Sequence, residues 1–232
     1  GDLFVSRHTA AHHPTTFVAN NAVDFVQRHT VEPWMALCSF VSPHHPFQAP
    51  AEIIDRYPLN DVPLLPRRGG VSMRDIPAEL QGAVNEFDTY SEDAQRRVVQ
   101  HYYASISLID DQVGRLLDTL EQTGQLDRTI VLFTADHGEF IGSHGLVRKP
   151  SFHYDDVVRV PLMMRGPGIA PRREDGLVEL VDLMPTLLDL VGQPIPIGVQ
   201  GMSWANALKT RDTLGRPDIF SDMHHMDPMT RM

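Results

Sequence analysis

The sequence holds a single cysteine, Cys38, among 232 residues, which excludes an internal disulfide framework. Many exported bacterial proteins also lack disulfides, so this absence leaves the compartment open between periplasm, exterior and cytoplasm, with a bacterial source expected. Positive charge is scarce as well. Lys and Arg number 20 against 30 Asp and Glu, a formal net charge of -10, and no basic stripe stands out. Nucleic-acid binders carry such a stripe, so a nucleic-acid partner is not expected. Long apolar runs are missing: the longest, such as Ile130 to Phe133 and Val160 to Met164, are far shorter than the about 20 apolar residues that cross a bilayer. No transmembrane segment is expected. The first residues, Gly1 to His8, show neither initiator Met nor the basic and apolar regions of a signal peptide. Both ends read as cuts within a longer fold. No internal repeat or low-complexity tract is evident.

What remains is the composition of an ordinary globular protein, 42% hydrophobic and 22% charged, with enough chain for a substantial core. Apolar residues between Thr15 and Arg28 fall at helical spacing. Trp34 to Val41 is a nearly continuous apolar run, the pattern of a strand buried on both faces, and it leads into His44 and His45. A short helix is expected over 51–57, and a Pro- and Gly-rich surface excursion over 58–90. The clearest helix runs from Ser91 to Thr123. Its expected stripe is Val99, Tyr102, Ile106, Ile109, Val113, Leu116, Leu117 and Leu120, with Ser91 as N-cap and Gly124 as stop. Strands are expected at 129–134, 160–165 and 219–221, and a further helix at 182–191 before Gly192. Helices alternating with buried strands predict an α/β fold, a mostly parallel central sheet flanked by helices.

The chemistry concentrates in Thr134-Ala135-Asp136-His137-Gly138-Glu139, directly after an expected strand. Ligands of open α/β sheets sit at the carboxyl ends of strands. An adjacent carboxylate and imidazole can reach one divalent cation, with Gly138 allowing a sharp turn behind them. The same residues also suit a plain Asx turn in which Asp136 caps the following segment.

The wider context carries more. The block continues with Gly142-Ser143-His144-Gly145, Lys149, Asp155-Asp156 and Arg159-Val160-Pro161-Leu162, ending in Gly166-Pro167-Gly168. Upstream stands Ser42-Pro43-His44-His45-Pro46-Phe47, and downstream Val181-Asp182-Leu183 with Pro185-Thr186-Leu187-Leu188. Together these resemble the type I sulfatases of the alkaline-phosphatase-like superfamily, in order, over most of residues 15–205. The resemblance implies a partial sulfatase catalytic domain, 1–232, without the C-terminal subdomain.

It also implies roles. Asp136 and His137 would be late ligands to a divalent metal, usually Ca²⁺ in this family, although imidazole ligands also suit Zn²⁺ or Mn²⁺. Lys149 would contact the sulfate oxygens, and His44 would hydrogen-bond the sulfate or protonate the leaving alcohol. His144 either lines the pocket or caps the glycine-rich turn. Arg159 reads as structural, pairing with Asp155 or Asp156. His45 should point away from His44 if the chain is extended there. The implied substrate is a small-molecule sulfate ester or a sulfated glycan.

The family's nucleophile is a formylglycine made from Cys or Ser in a Cys/Ser-x-Pro/Ala-x-Arg motif, and nothing here fits it. Cys38 precedes Ser39-Phe40-Val41 and reads as a small buried hydrophobe. The expectation is therefore that these 232 residues are inactive alone and that the parent is a sulfuric ester hydrolase. Two alternatives stand beside it. One is a phosphodiesterase, phosphonate monoester hydrolase or phosphoglycerol transferase of the same superfamily, and the other a non-catalytic relative that binds anions.

Overall fold

A computed structural model describes residues 3–64, 78, 81, 86–210, 212–213 and 215–222. Much of the expected excursion at 58–90 thus lies outside the described residues. The chain divides into two compact units, one formed by Gly1–Leu126 with Glu139–Phe152, the other by Asp127–Gly138 with His153–Met232.

In the first unit, strand β1 (Leu3–Val5) pairs in parallel with β2 (Phe47–Ala49), and helix α1 (Pro14–Arg28) lies between them in sequence. Pro14 opens α1 where its missing N–H costs nothing, and the His13 ring accepts from the Thr15 N–H. Short helix α2 (Ala51–Ile54) follows β2. The long helix α3 (Glu92–Gln122) starts as expected, with the Ser91 hydroxyl accepting from the Ala94 N–H. It stops before Gly124, whose φ of 67° is a left-handed value that glycine adopts without strain. The unit closes with a hairpin of β4 (Phe140–Ile141) and β5 (Val147–Arg148). Phe47, Val62, Phe87, Val98, Val99, Ile141 and Val147 form one buried cluster, which joins α3, β2 and the hairpin.

Two expectations for this unit fail. Residues 34–41 form no strand, and Met35, Leu37 and Val41 are each more than 80% exposed. An apolar run becomes a strand only when a neighbour takes its backbone N–H and C=O groups, and no described strand pairs with it. Trp34 is anchored, its indole N–H donating to Gln125. On α3, Ile106 is exposed, while His101, Ser105, Gln112 and Thr119 are buried. The buried face is partly polar because it serves β2: the His101 Nδ1 meets the Phe47 carbonyl at 3.1 Å, and the Ser105 hydroxyl donates to that of Gln48.

In the second unit, β3 (Val131–Thr134) pairs antiparallel with β6 (Leu162–Arg165), Val131 opposite Arg165 and Thr134 opposite Leu162. Between them in sequence lies the single turn of helix α4 (Asp155–Val158). Helices α5 (Leu183–Leu190) and α6 (Ala205–Thr210) follow. They are tied by Asp182, which is fully buried. Its carboxylate accepts from the backbone of Glu179 and Met202 and from the Trp204 indole, and it pairs with Arg216. Satisfied on every side, that charge acts as a buried staple. The strand expected at 219–221 is absent. The Phe220 N–H donates to the Glu179 carboxylate rather than to a ladder, and its side chain is exposed. The fold class is α/β as expected; where a mostly parallel sheet was expected, the described strands form three two-stranded ladders, β1–β2 parallel and β3–β6 and β4–β5 antiparallel.

Candidate functional site

The expected site residues fall in two local clusters, one in each unit. In the second unit, β3 delivers Asp136 and His137 just beyond its carboxyl end, where the sequence places them. Asp136 is open to solvent, its side chain 88% exposed. The carboxylate accepts from the His137 backbone N–H at 3.0 Å, which sets its direction. The His137 Nδ1 lies 2.8 Å from the Gly138 carbonyl. A carbonyl oxygen only accepts, so Nδ1 carries the proton and Nε2 of the neutral ring keeps its lone pair outward. That Nε2 lies 3.8 Å from the Asp136 Oδ2. One divalent ion, bonded to each at about 2.0–2.6 Å, fits such a gap.

Gly138 makes this turn possible. Its N–H donates to the Val157 carbonyl at 2.7 Å, and a Cβ built on it would lie 1.9 Å from the Asp156 carbonyl oxygen. Only glycine fits so close to α4. The donor set of one carboxylate and one imidazole suits a divalent cation, and no group of three or more His, Cys, Asp or Glu side chains able to hold an ion occurs among the described residues.

In the first unit, the β4–β5 hairpin organises the rest. Phe140 faces Arg148 and Ile141 faces Val147, so the residues one step beyond the open end of the ladder are Glu139 and Lys149. The Lys149 Nζ is buried and has no hydrogen-bond partner among the described residues, and neither has the Glu139 Oε1. The Glu139 side chain is 5% exposed, and its Oε2 lies 4.0 Å from the His45 Nδ1. Burial pushes the Glu139 carboxyl up to about 7 against the opposing pull of the Lys149 and Arg148 charges. The same surroundings drive the Tyr102 phenol up to about 12, mainly by burial and then by Glu139. Arg148 is engaged by Glu86 at 2.6 Å.

His44 is exposed, and its ring stacks on that of His45 with centroids 4.3 Å apart. The two do not diverge as extended backbone would require. The His44 N–H donates to the Val41 carbonyl at 3.0 Å, so the chain turns here and brings both rings to one side. The His44 Nδ1 contacts the His45 carbonyl, which leaves Nε2 outward. His144 sits in the hairpin turn with a left-handed φ of 59°, its ring edge-on to Phe140. In the second unit, Arg159 is exposed and meets Asp155 through its backbone, the Arg159 N–H donating to the Asp155 carbonyl.

Sequence reasoning places Glu139 within the motif but gives it no role. The available signal is an acidic residue directly before the apolar pair Phe140-Ile141, where a charge is carried into a core.

The description "Sulfatase" belongs to the family model that residues 6–193 match. An arylsulfatase of Clostridium perfringens is 34% identical over 223 residues, covering 90% of this chain and 45% of its own. A choline-sulfatase of Rhizobium meliloti is 38% identical over 165 residues, covering 69% of this chain and 32% of its own. Among solved structures, a phosphonate monoester hydrolase from Silicibacter pomeroyi superposes with a TM-score of 0.78 at 28% identity, over 88% of this chain and 42% of that one. The chain spans less than half the length of each of these relatives. Family match and fold agree with the order of motifs along the sequence: the chain belongs to the sulfatase family, with part of its alkaline-phosphatase-like fold.

Proposed function

We propose that the full-length protein is a sulfuric ester hydrolase acting on a small-molecule sulfate ester or a sulfated glycan. In this reading it uses a divalent metal, calcium by family resemblance, and a formylglycine nucleophile that residues 1–232 do not supply. The observation that carries the reading is the Lys149 ammonium, buried without a hydrogen-bond partner among the described residues in a chain of this family. A buried ammonium without hydrogen bonds is costly, and a tetrahedral oxyanion is the ligand that would relieve it.

Each residue then has a task. The Asp136 Oδ2 and His137 Nε2 would hold the metal, whose charge when bound would polarise sulfate oxygens. Lys149 offers three donors to the oxygens that gain charge as the S–O bond breaks. With Nδ1 directed at a backbone carbonyl, His44 presents Nε2 to the substrate and, as imidazolium, can protonate the leaving alkoxide. His144 remains a candidate substrate contact at the hairpin turn.

The test is hydrolysis of 4-nitrophenyl sulfate by the full-length protein matured with a formylglycine-generating enzyme. Turnover should vanish with chelator and return with Ca²⁺. Full turnover in chelator would remove the metal from the reading. A second reading, phosphonate monoester hydrolysis, is favoured by the likeness to the Silicibacter pomeroyi enzyme, since phosphonate and sulfate present similar tetrahedral oxygens. Turnover of phenylphosphonate 4-nitrophenyl ester without turnover of the sulfate would select it.

A further inference from the structure

His44 is exposed, and an exposed imidazole on a loop ordinarily hops between rotamers. Here two contacts with the next residue restrain it. The His45 backbone carbonyl accepts from the His44 Nδ1, which sets the tautomer and the rotation of the ring. The His45 ring lies against that of His44, with centroids 4.3 Å apart and planes inclined by 24°, which sets the ring plane. His45 can act as a backstop because its own segment is tied down on both sides. Upstream, the His44 N–H donates to the Val41 carbonyl and the Thr15 hydroxyl donates to that of Ser42 at 3.2 Å. Downstream, Phe47 is fully buried at the start of β2. The His45 side chain is itself only 30% exposed.

We propose that His45 is the positioning residue of His44: its stacked ring holds the His44 imidazole in the plane that aims Nε2 at the leaving oxygen of the substrate. This rests on the reading of His44 as the group that protonates that oxygen. A backbone carbonyl is present whatever residue stands at 45, so what the His45 side chain adds is the flat ring. Neighbouring side chains on extended backbone would point to opposite sides, and the turn after Val41 is what brings these two rings together. Proton transfer weakens steeply when the donor is misaligned, and it matters most when the leaving oxygen is strongly basic. A loss of His44 alignment is therefore read in the dependence of rate on the leaving group, which a general loss of structure would not change.

The test uses the full-length protein matured with a formylglycine-generating enzyme, with 4-nitrophenyl sulfate and phenyl sulfate as substrates and thermal melting as a check on folding. Phenolate is the more basic leaving group of the two. His45→Ala should lower kcat/KM by roughly ten- to a hundred-fold on phenyl sulfate and by much less on 4-nitrophenyl sulfate. His45→Phe restores a flat ring and should recover most of the loss. In a His44→Ala background, His45→Ala should add little further loss. Wild-type rates in His45→Ala, equal losses on the two esters, a Phe variant no better than Ala, or a loss undiminished without His44 would each overturn the proposal. If the Ala variant does not fold, His45→Leu, which fills the volume without a flat ring, takes its place, and the same outcomes support or overturn the proposal. A His44→Ala protein as active as wild type on both esters would defeat the reading of His44 and the proposal with it. A wild type that cleaves only phosphonate esters defeats the sulfatase reading instead, and the comparison is then read on the 4-nitrophenyl and phenyl phosphonate esters.

Discussion

The strand-end pair and the hairpin cluster solve opposite problems. Asp136 and His137 stand at the surface, and each is aimed by its own neighbouring backbone, the carboxylate by the His137 N–H and the imidazole by the Gly138 carbonyl. Glu139 and Lys149 flank a hairpin whose Ile141 and Val147 belong to the buried cluster, and the Glu139 Oε1 and Lys149 Nζ are buried, where charge is expensive, without hydrogen bonds among the described residues. The contrast separates two ways of preparing a site. One fixes direction cheaply and leaves most binding free energy to the ligand. The other stores an unmet demand for an anion at a cost to the fold.

The largest effect expected from this comparison is on catalysis. Lys149→Ala should lower the kcat of the full-length protein by roughly a hundred- to a thousand-fold, the usual cost of losing one preorganised donor. Lys149→Met should be at least as stable as wild type in urea melts, since it replaces a buried ammonium without hydrogen bonds by an apolar chain of similar length, while the Glu139 carboxyl, already pushed up to about 7, can take up a proton. A clearly less stable Met variant would show that the ammonium is already satisfied and would erase the contrast.

Next in size is the turn behind the metal pair. Gly138→Ala should destabilise the fold by about 1–3 kcal/mol in urea melts, because the added methyl meets the Asp156 carbonyl. An unchanged midpoint would mean that α4 can give way there.

A pH-dependent prediction probes the hairpin's surroundings. Burial lowers the His101 pKa below its ordinary value of 6.5. The unfolded chain therefore takes up this proton first, so the associated stability is complete above pH 6.5 and is lost as pH falls through the lowered folded value. His101→Gln keeps a donor for the Phe47 carbonyl and should show a flatter decline of melting temperature below pH 6.5 than wild type. Parallel declines would show that the fold leaves the His101 pKa at its ordinary value. The smallest expected effect on stability is on the exposed side of the comparison. Asp136→Ala should move stability by no more than about 0.5 kcal/mol while abolishing metal-dependent turnover. A large loss of stability would give that carboxylate a structural task.

Much of this architecture is legible in the sequence, and the reasons differ by element. Helices α1, α3 and α5 announce themselves through apolar spacing and caps, signals that are local and survive in any context. The position of Asp136 and His137 after β3 is readable for the same reason. The run at 34–41 misleads because its apolar character says that it seeks cover, and only a partner strand could make it β-structure. Ile106 misleads similarly, since the buried face of α3 is chosen by the carbonyls of β2 that His101 and Ser105 must satisfy. The direction of His45 is lost by assuming an extended chain where the backbone turns. Glu139 needs the hairpin register before its place opposite Lys149 can be seen.

The central claim, that Lys149 marks the seat of a tetrahedral oxyanion, is tested most directly by calorimetric titration of inorganic sulfate into the full-length protein and its Lys149→Ala variant. Saturable binding to the wild type that is lost in the variant is the predicted result. Equal binding to both, or none to either, would contradict it.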